Sequence, residues 1–136
     1  GKILGCPVLH LDKLQFEAGW KERKEAEGNR LCEQFLEENK ERGWVIDGNY
    51  EKFCQKRRMK EADLIIFMDY PRWICLWQAL RRYYRYKGHT RKSMADGCIE
   101  KMDKEFILWI LKMDAAGKRR KIINGWEHSI RINSSR

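Results

Sequence analysis

"WVIDGNY", residues 44–50, runs four residues suited to a buried strand straight into an aspartate, a glycine and an asparagine. Asp47 therefore stands where an apolar run stops, and Gly48 gives the backbone freedom immediately after it. Two readings compete. One is a surface turn, in which Asp, Gly and Asn are common. The other is a carboxylate presented to a ligand cleft at the carboxyl end of a parallel strand, where open α/β sheets bind their ligands.

The neighbouring segments favour the second reading. "CPVLHLD" (6–12) is β-favouring, with Pro7 tolerable at its start, and it ends on Asp12. "ADLIIFMD" (62–69) is continuously apolar, as a strand covered on both faces would be, and it ends on Asp69. "KIIN" (121–124) reads as a last strand. Between these runs lie helical spacings. Over 22–42 the apolar positions are Ala26, Leu31, Cys32, Phe35 and Leu36, and Gly43 is a natural stop. Pro71 opens a second helix, with a stripe of Trp73, Leu76, Trp77, Leu80 and Tyr84. A third starts near 99 and carries Met102, Phe106, Trp109, Ile110 and Met113 on one face. Residues 13–20 read as a loop or short turn, and 50–61 as a short helix plus loop. Helix and strand spacing assigns Trp20, Trp44, Trp73, Trp77 and Trp109 to the core. Strands alternating with helices imply an α/β fold with a parallel sheet, in one domain spanning 1–136. Asp12, Asp47 and Asp69 then share one sheet edge.

Composition bounds the function. The 136 residues are 43% hydrophobic and 36% charged, which suits a globular chain able to bury a core. No apolar run is long enough to span a bilayer, and no membrane partner is expected. The five cysteines are odd in number and lack a CxxC pair, which argues for reduced thiols and a cytoplasmic setting. His10, His89 and His128 have no spacing that suits a metal or a nucleophilic triad. A formal charge of +9 favours polyanionic partners, nucleotide or nucleic acid.

The charge gathers in "RRYYRYKGHTRK" (81–92), which contains no acid and favours Arg, whose planar fork grips phosphate oxygens at two points. A solvated helix face would explain it. So would a flap closing over a transferring phosphoryl group. In that chemistry Asp47 orients magnesium, Asn49 holds substrate or a metal-bound water, and Asp12 orients the acceptor.

The segments "PVLHLDKLQFEAGW", "WVIDGNYEKF", "ADLIIFMDYPRWICLWQALRRYYRYKGHTR" and "DGCIEKMDKEFILWI" occur in an order that resembles the small P-loop kinases known as DNA topology modulation proteins or adenylate-kinase-related proteins. The resemblance covers about residues 2–113. It implies a three-layer, nucleoside-monophosphate-kinase-like fold with ATP and Mg2+ as ligands and phosphoryl transfer to a nucleoside or nucleotide. It makes Asp47 the Walker B-type acid and metal ligand, direct or through water. Arg82, Arg85 and Arg91 fall in a lid at about 81–98, and Asp12 and Asn49 lie in the substrate region. The alternative is a basic, non-catalytic nucleic-acid-binding protein that influences DNA topology through 81–92 and 118–121.

Two departures stand out. Kinases of this kind open with a strand and G-x-x-x-x-G-K-[ST], whose amides and lysine cradle phosphate. Here Gly1-Lys2 is followed by Ile3, and "GKILGCP" resembles the end of the helix after such a loop. Gln78 also stands where a lid arginine is expected. The implied strand order is 2-3-1-4-5, with the phosphate-loop strand in the middle. Without it two strand edges lack partners, so the chain is expected to have little kinase activity alone and to gain the strand from upstream sequence, a homodimer or strand exchange.

Overall fold

The computed structural model describes residues 1–112 and 129–133. Strand β1 (Val8–His10) leads directly into the short helix α1 (Leu11–Gln15). A tight antiparallel ladder of β2 (Phe16–Glu17) and β3 (Lys21–Glu22) follows, closed by a 3-10 turn at Ala18–Trp20 in which Gly19 takes φ 73°. Helix α2 (Glu25–Glu38) then crosses to β4 (Val45–Asp47). Next come α3 (Gln55–Glu61), β5 (Ile65–Asp69), α4 (Arg72–Tyr86), α5 (Lys104–Lys112) and β6 (Ser129–Asn133).

The chain is mixed α/β with small parallel pairings. β1 pairs with β4 in parallel, with Val8 opposite Val45, Leu9 opposite Ile46 and His10 opposite Asp47. β5 pairs with β6 in parallel, from Ile65 opposite Ser129 to Asp69 opposite Asn133. Contacts divide the chain into two compact units. One is Gly1–Arg58 with Gly88–Glu100, and the other is Met59–Lys87 with residues from Lys101 onward.

In the first unit the apolar face of α2 supplies the core. Leu11, Leu14, Cys32, Leu36 and Phe53 form one buried cluster, flanked by Leu9, Leu31, Trp44, Ile46, Tyr50 and Cys54. Phe53 is 1% exposed, and its ring lies directly over Gly28 of α2, where any Cβ would collide with it. A glycine inside a helix ordinarily costs about 1 kcal/mol. Here it is what lets an aromatic ring close on the helix backbone. Segment 88–100 also packs within this unit. Met94 and Cys98 are buried, Cys98 Sγ donates to the Glu17 carbonyl (3.2 Å), and Trp20 Nε1 donates to the Ile99 carbonyl (2.9 Å).

In the second unit α4 and α5 pack together, and Arg72 Nη1 donates to the Leu111 carbonyl (3.0 Å). Helix α5 starts at Lys104 rather than near 99 because Asp103 caps it: its Oδ1 accepts the Phe106 amide (2.8 Å). Ile99 is spent instead on an antiparallel bridge to Thr90. Two expectations are corrected here. Trp73, Trp77 and Trp109 are 69%, 58% and 54% exposed, so they do not serve as core. Leu64, just before β5, and Ile66 and Met68 on it are each more than half exposed, so the strand is not covered on both faces. The expected strand at 121–124 and Met113 lie outside the described residues, whereas β6 forms at 129–133, in a stretch whose mixed polarity gave no strand signal.

Candidate functional site

The parallel register of β1 and β4 decides what meets at their carboxyl ends. Because His10 pairs with Asp47, their side chains emerge side by side, and His10 Nδ1 lies 3.1 Å from Asp47 Oδ2. The Asp47 side chain is 70% exposed, a carboxylate presented to solvent. Gly48 follows with φ 125°, and a Cβ there would fall 2.8 Å from Leu11 Cβ. Only glycine meets both conditions. The glycine after the aspartate thus lets β4 turn away over α1 while Asp47 stays at the strand end.

Asp12 sits in the first turn of α1, two residues past the end of β1, half-buried. Its Oδ1 accepts the Tyr50 hydroxyl at 2.9 Å. Burial, and then the adjacent Asp12 charge, push the Tyr50 phenol well above its ordinary value, so it stays a donor to that carboxylate at any ordinary pH. Tyr50 is held in turn by Arg58. This guanidinium is 4% exposed, donating through Nη2 to the Tyr50 carbonyl and through Nε to the Phe53 carbonyl, each at 2.6 Å. Burial lowers the Arg58 pKa, but two carbonyl acceptors fix its direction. His10, Asp12, Asp47 and Tyr50 therefore form a polar cluster at one strand edge, tied to the core through Arg58.

The expected residues are distributed as follows. Asp12 and Asp47 share the carboxyl end of the first unit's parallel pair, and Asn49 is exposed two residues beyond Asp47. Arg91 belongs to the same unit, but its Nε contacts Glu100 Oε2 at 2.6 Å and its Nη1 contacts Ser93 (3.3 Å). The Glu100 side chain is 2% exposed, so this is a buried ion pair. Arg82 and Arg85 belong to the second unit, on α4, where the Arg82 guanidinium lies 5.9 Å from the Phe106 ring centroid. The basic run of 81–92 is thus divided at Lys87 between the units. β5 in the second unit ends on Asp69.

Sequence reading gives Tyr50 and Arg58 no role and places His10 in or beside the core, without a metal or triad spacing. A histidine two residues before Asp12 carried the only signal, and its partner is set by strand register, which periodicity does not give. Two thiols, Cys32 and Cys54, belong to or pack against the core cluster of the same unit. Burial pushes the Cys32 thiol up from 9.0 to about 11. Burial, and then Glu33, raises that of Cys54. Because Cys32 ionises less readily folded than unfolded, its contribution to stability is complete below pH 9 and is lost as pH rises through about 11. Urea midpoints should therefore fall between pH 9 and 11, and Cys32→Ala should flatten that fall. An unchanged slope would contradict the assignment.

Among the described residues no three His, Cys, Asp or Glu side chains are arranged to hold a metal ion. The donor set suits a hydrated Mg2+, which takes one or two carboxylates together with substrate phosphates. None of the described helices is long and apolar enough to cross a membrane. These observations define the class: a mixed α/β protein in which a parallel strand pair ends in an acidic, histidine-bearing cluster. No protein-family model, curated protein or solved structure matches the chain.

Proposed function

We propose that the chain is a nucleotide-binding phosphotransferase domain of the P-loop, nucleoside-monophosphate-kinase-like class, acting with Mg2+ and ATP. The observation that carries this reading is the parallel pairing of β1 with β4, which sets Asp47 and His10 together at the ligand-binding end of the strands with Asp12 just beyond. A second support is the grouping of strands. Each unit contains one parallel strand pair, β1 with β4 in the first and β5 with β6 in the second, as an α/β protein requires.

Magnesium, when bound, would offset charge on the transferring phosphoryl oxygens. Asp47 would orient it, directly or through water, with His10 restraining the carboxylate and Asn49 beside it. Asp12, fixed by Tyr50, would position the acceptor. Arg91, in the same unit as Asp47, is the candidate phosphate contact, and it would first have to exchange its bond to Glu100.

Calorimetric titration with ATP in the presence and absence of Mg2+ tests the reading. Asp47→Asn keeps the shape of an exposed side chain and should weaken magnesium-dependent binding about tenfold, or ~1.4 kcal/mol. Equal affinity of both proteins would reject the assignment of Asp47. Salt-steep duplex binding that ignores this substitution would instead favour the non-catalytic nucleic-acid-binding alternative.

A further inference from the structure

Helix α4 buries one side and leaves the other to solvent. Ala79 is buried and Cys75, Leu76 and Tyr83 are half-buried, whereas Trp73, Trp77 and Tyr84 are 69%, 58% and 75% exposed. At 100° per residue the three exposed aromatics fall within one narrow sector, with Arg81 at its margin. The Arg81 guanidinium lies 5.4 Å from the Trp77 ring centroid. The helix contains four Arg and no acid, and no acid occurs anywhere from Tyr70 to Ala95.

We propose that this face of α4 binds single-stranded nucleic acid, with Trp73, Trp77 and Tyr84 as stacking platforms and Arg81 as a phosphate contact. Sequence-tolerant single-strand binding sites combine these two elements, aromatic rings for bases and cations that follow the backbone. The rise of the helix spaces the rings by about 6 Å and then about 10 Å, a path several nucleotides long. The charge argues for this occupant. A second copy of the stripe would bring Arg81 against another cationic helix, whereas a polyphosphate strand complements it. A dry apolar partner would have to bury the guanidinium between the rings. A duplex hides its base faces, so stacking selects single strands.

Fluorescence anisotropy of a labelled oligothymidylate of about twelve nucleotides, titrated with the full 136-residue chain, tests this. The single strand should bind more tightly than a matched duplex, with affinity falling steeply as salt rises. Trp77→Ala and Trp73→Ala should each weaken binding about tenfold while circular dichroism stays unchanged, since both side chains are exposed. Arg81→Gln should lower the salt slope by about one. The proposal fails if no binding is seen, if duplex binds as well, or if the tryptophan variants bind normally. It also fails if they instead abolish self-association in sedimentation or binding to anionic vesicles.

Discussion

Phe53→Ala should lower the stability of the first unit by about 3–5 kcal/mol, the range for emptying a buried aromatic site. The ring is 1% exposed and belongs to the cluster of Leu11, Leu14, Cys32 and Leu36 that joins α1, α2 and the segment after β4. Collapse cannot easily refill the space. Gly28, on which the ring rests, has no side chain to swing inward. The Phe53 carbonyl is bonded to Arg58 Nε and lies 3.8 Å from Cys32 Sγ, so the backbone is held as well. Domains of this size are stable by only about 5–15 kcal/mol, so a large fraction of the total is at stake. Denaturant unfolding should show the midpoint moving sharply down with its slope little changed. Phe53→Leu, which keeps much of the volume, should lose less than half as much. A loss below about 1 kcal/mol for the alanine variant would mean that the ring does not organise this core.

Arg58→Ala should cost about 3 kcal/mol by a different route. The guanidinium is almost fully buried and serves two backbone carbonyls, of Tyr50 and Phe53. Removing it orphans acceptors at about 1–3 kcal/mol each, partly relieved by entering water. Through Tyr50 the effect reaches Asp12, so under the proposed function nucleotide binding should weaken along with stability. Arg58→Lys tests the geometry: an ammonium on a flexible stem does not reproduce the planar fork and should recover only part of the loss. If lysine restored full stability, charge alone would be what the site requires.

The elements and the site were legible to different degrees. The strand ends at Asp47 and Asp69 and the helices α2 and α4 follow from apolar runs and three-to-four spacing, which depend on sequence alone. The pairing of His10 with Asp47 depends on register between strands 37 residues apart, which spacing does not encode. Aromatic residues at helical spacing usually mean burial, which is why the sequence alone assigns Trp73 and Trp77 to a core face of α4. Small Ala79 and Cys75 take that place instead, allowing the helix to pack closely with its aromatics outward. By sequence Arg91 is part of a solvated or phosphate-binding run. The carboxylate that pairs with it, Glu100, comes from beyond that run and is buried, so charge counting within 81–92 did not reveal it.

The central claim is that a metal-nucleotide complex meets the chain at the carboxyl ends of β1 and β4. Amide signals recorded during addition of Mn2+ with ATP test it most directly, because the paramagnetic ion broadens only what lies near it. The account predicts selective broadening at His10–Asp12 and Asp47–Tyr50, abolished by Asp47→Asn. Broadening centred on any other part of the chain, or unaltered by that substitution, would contradict it.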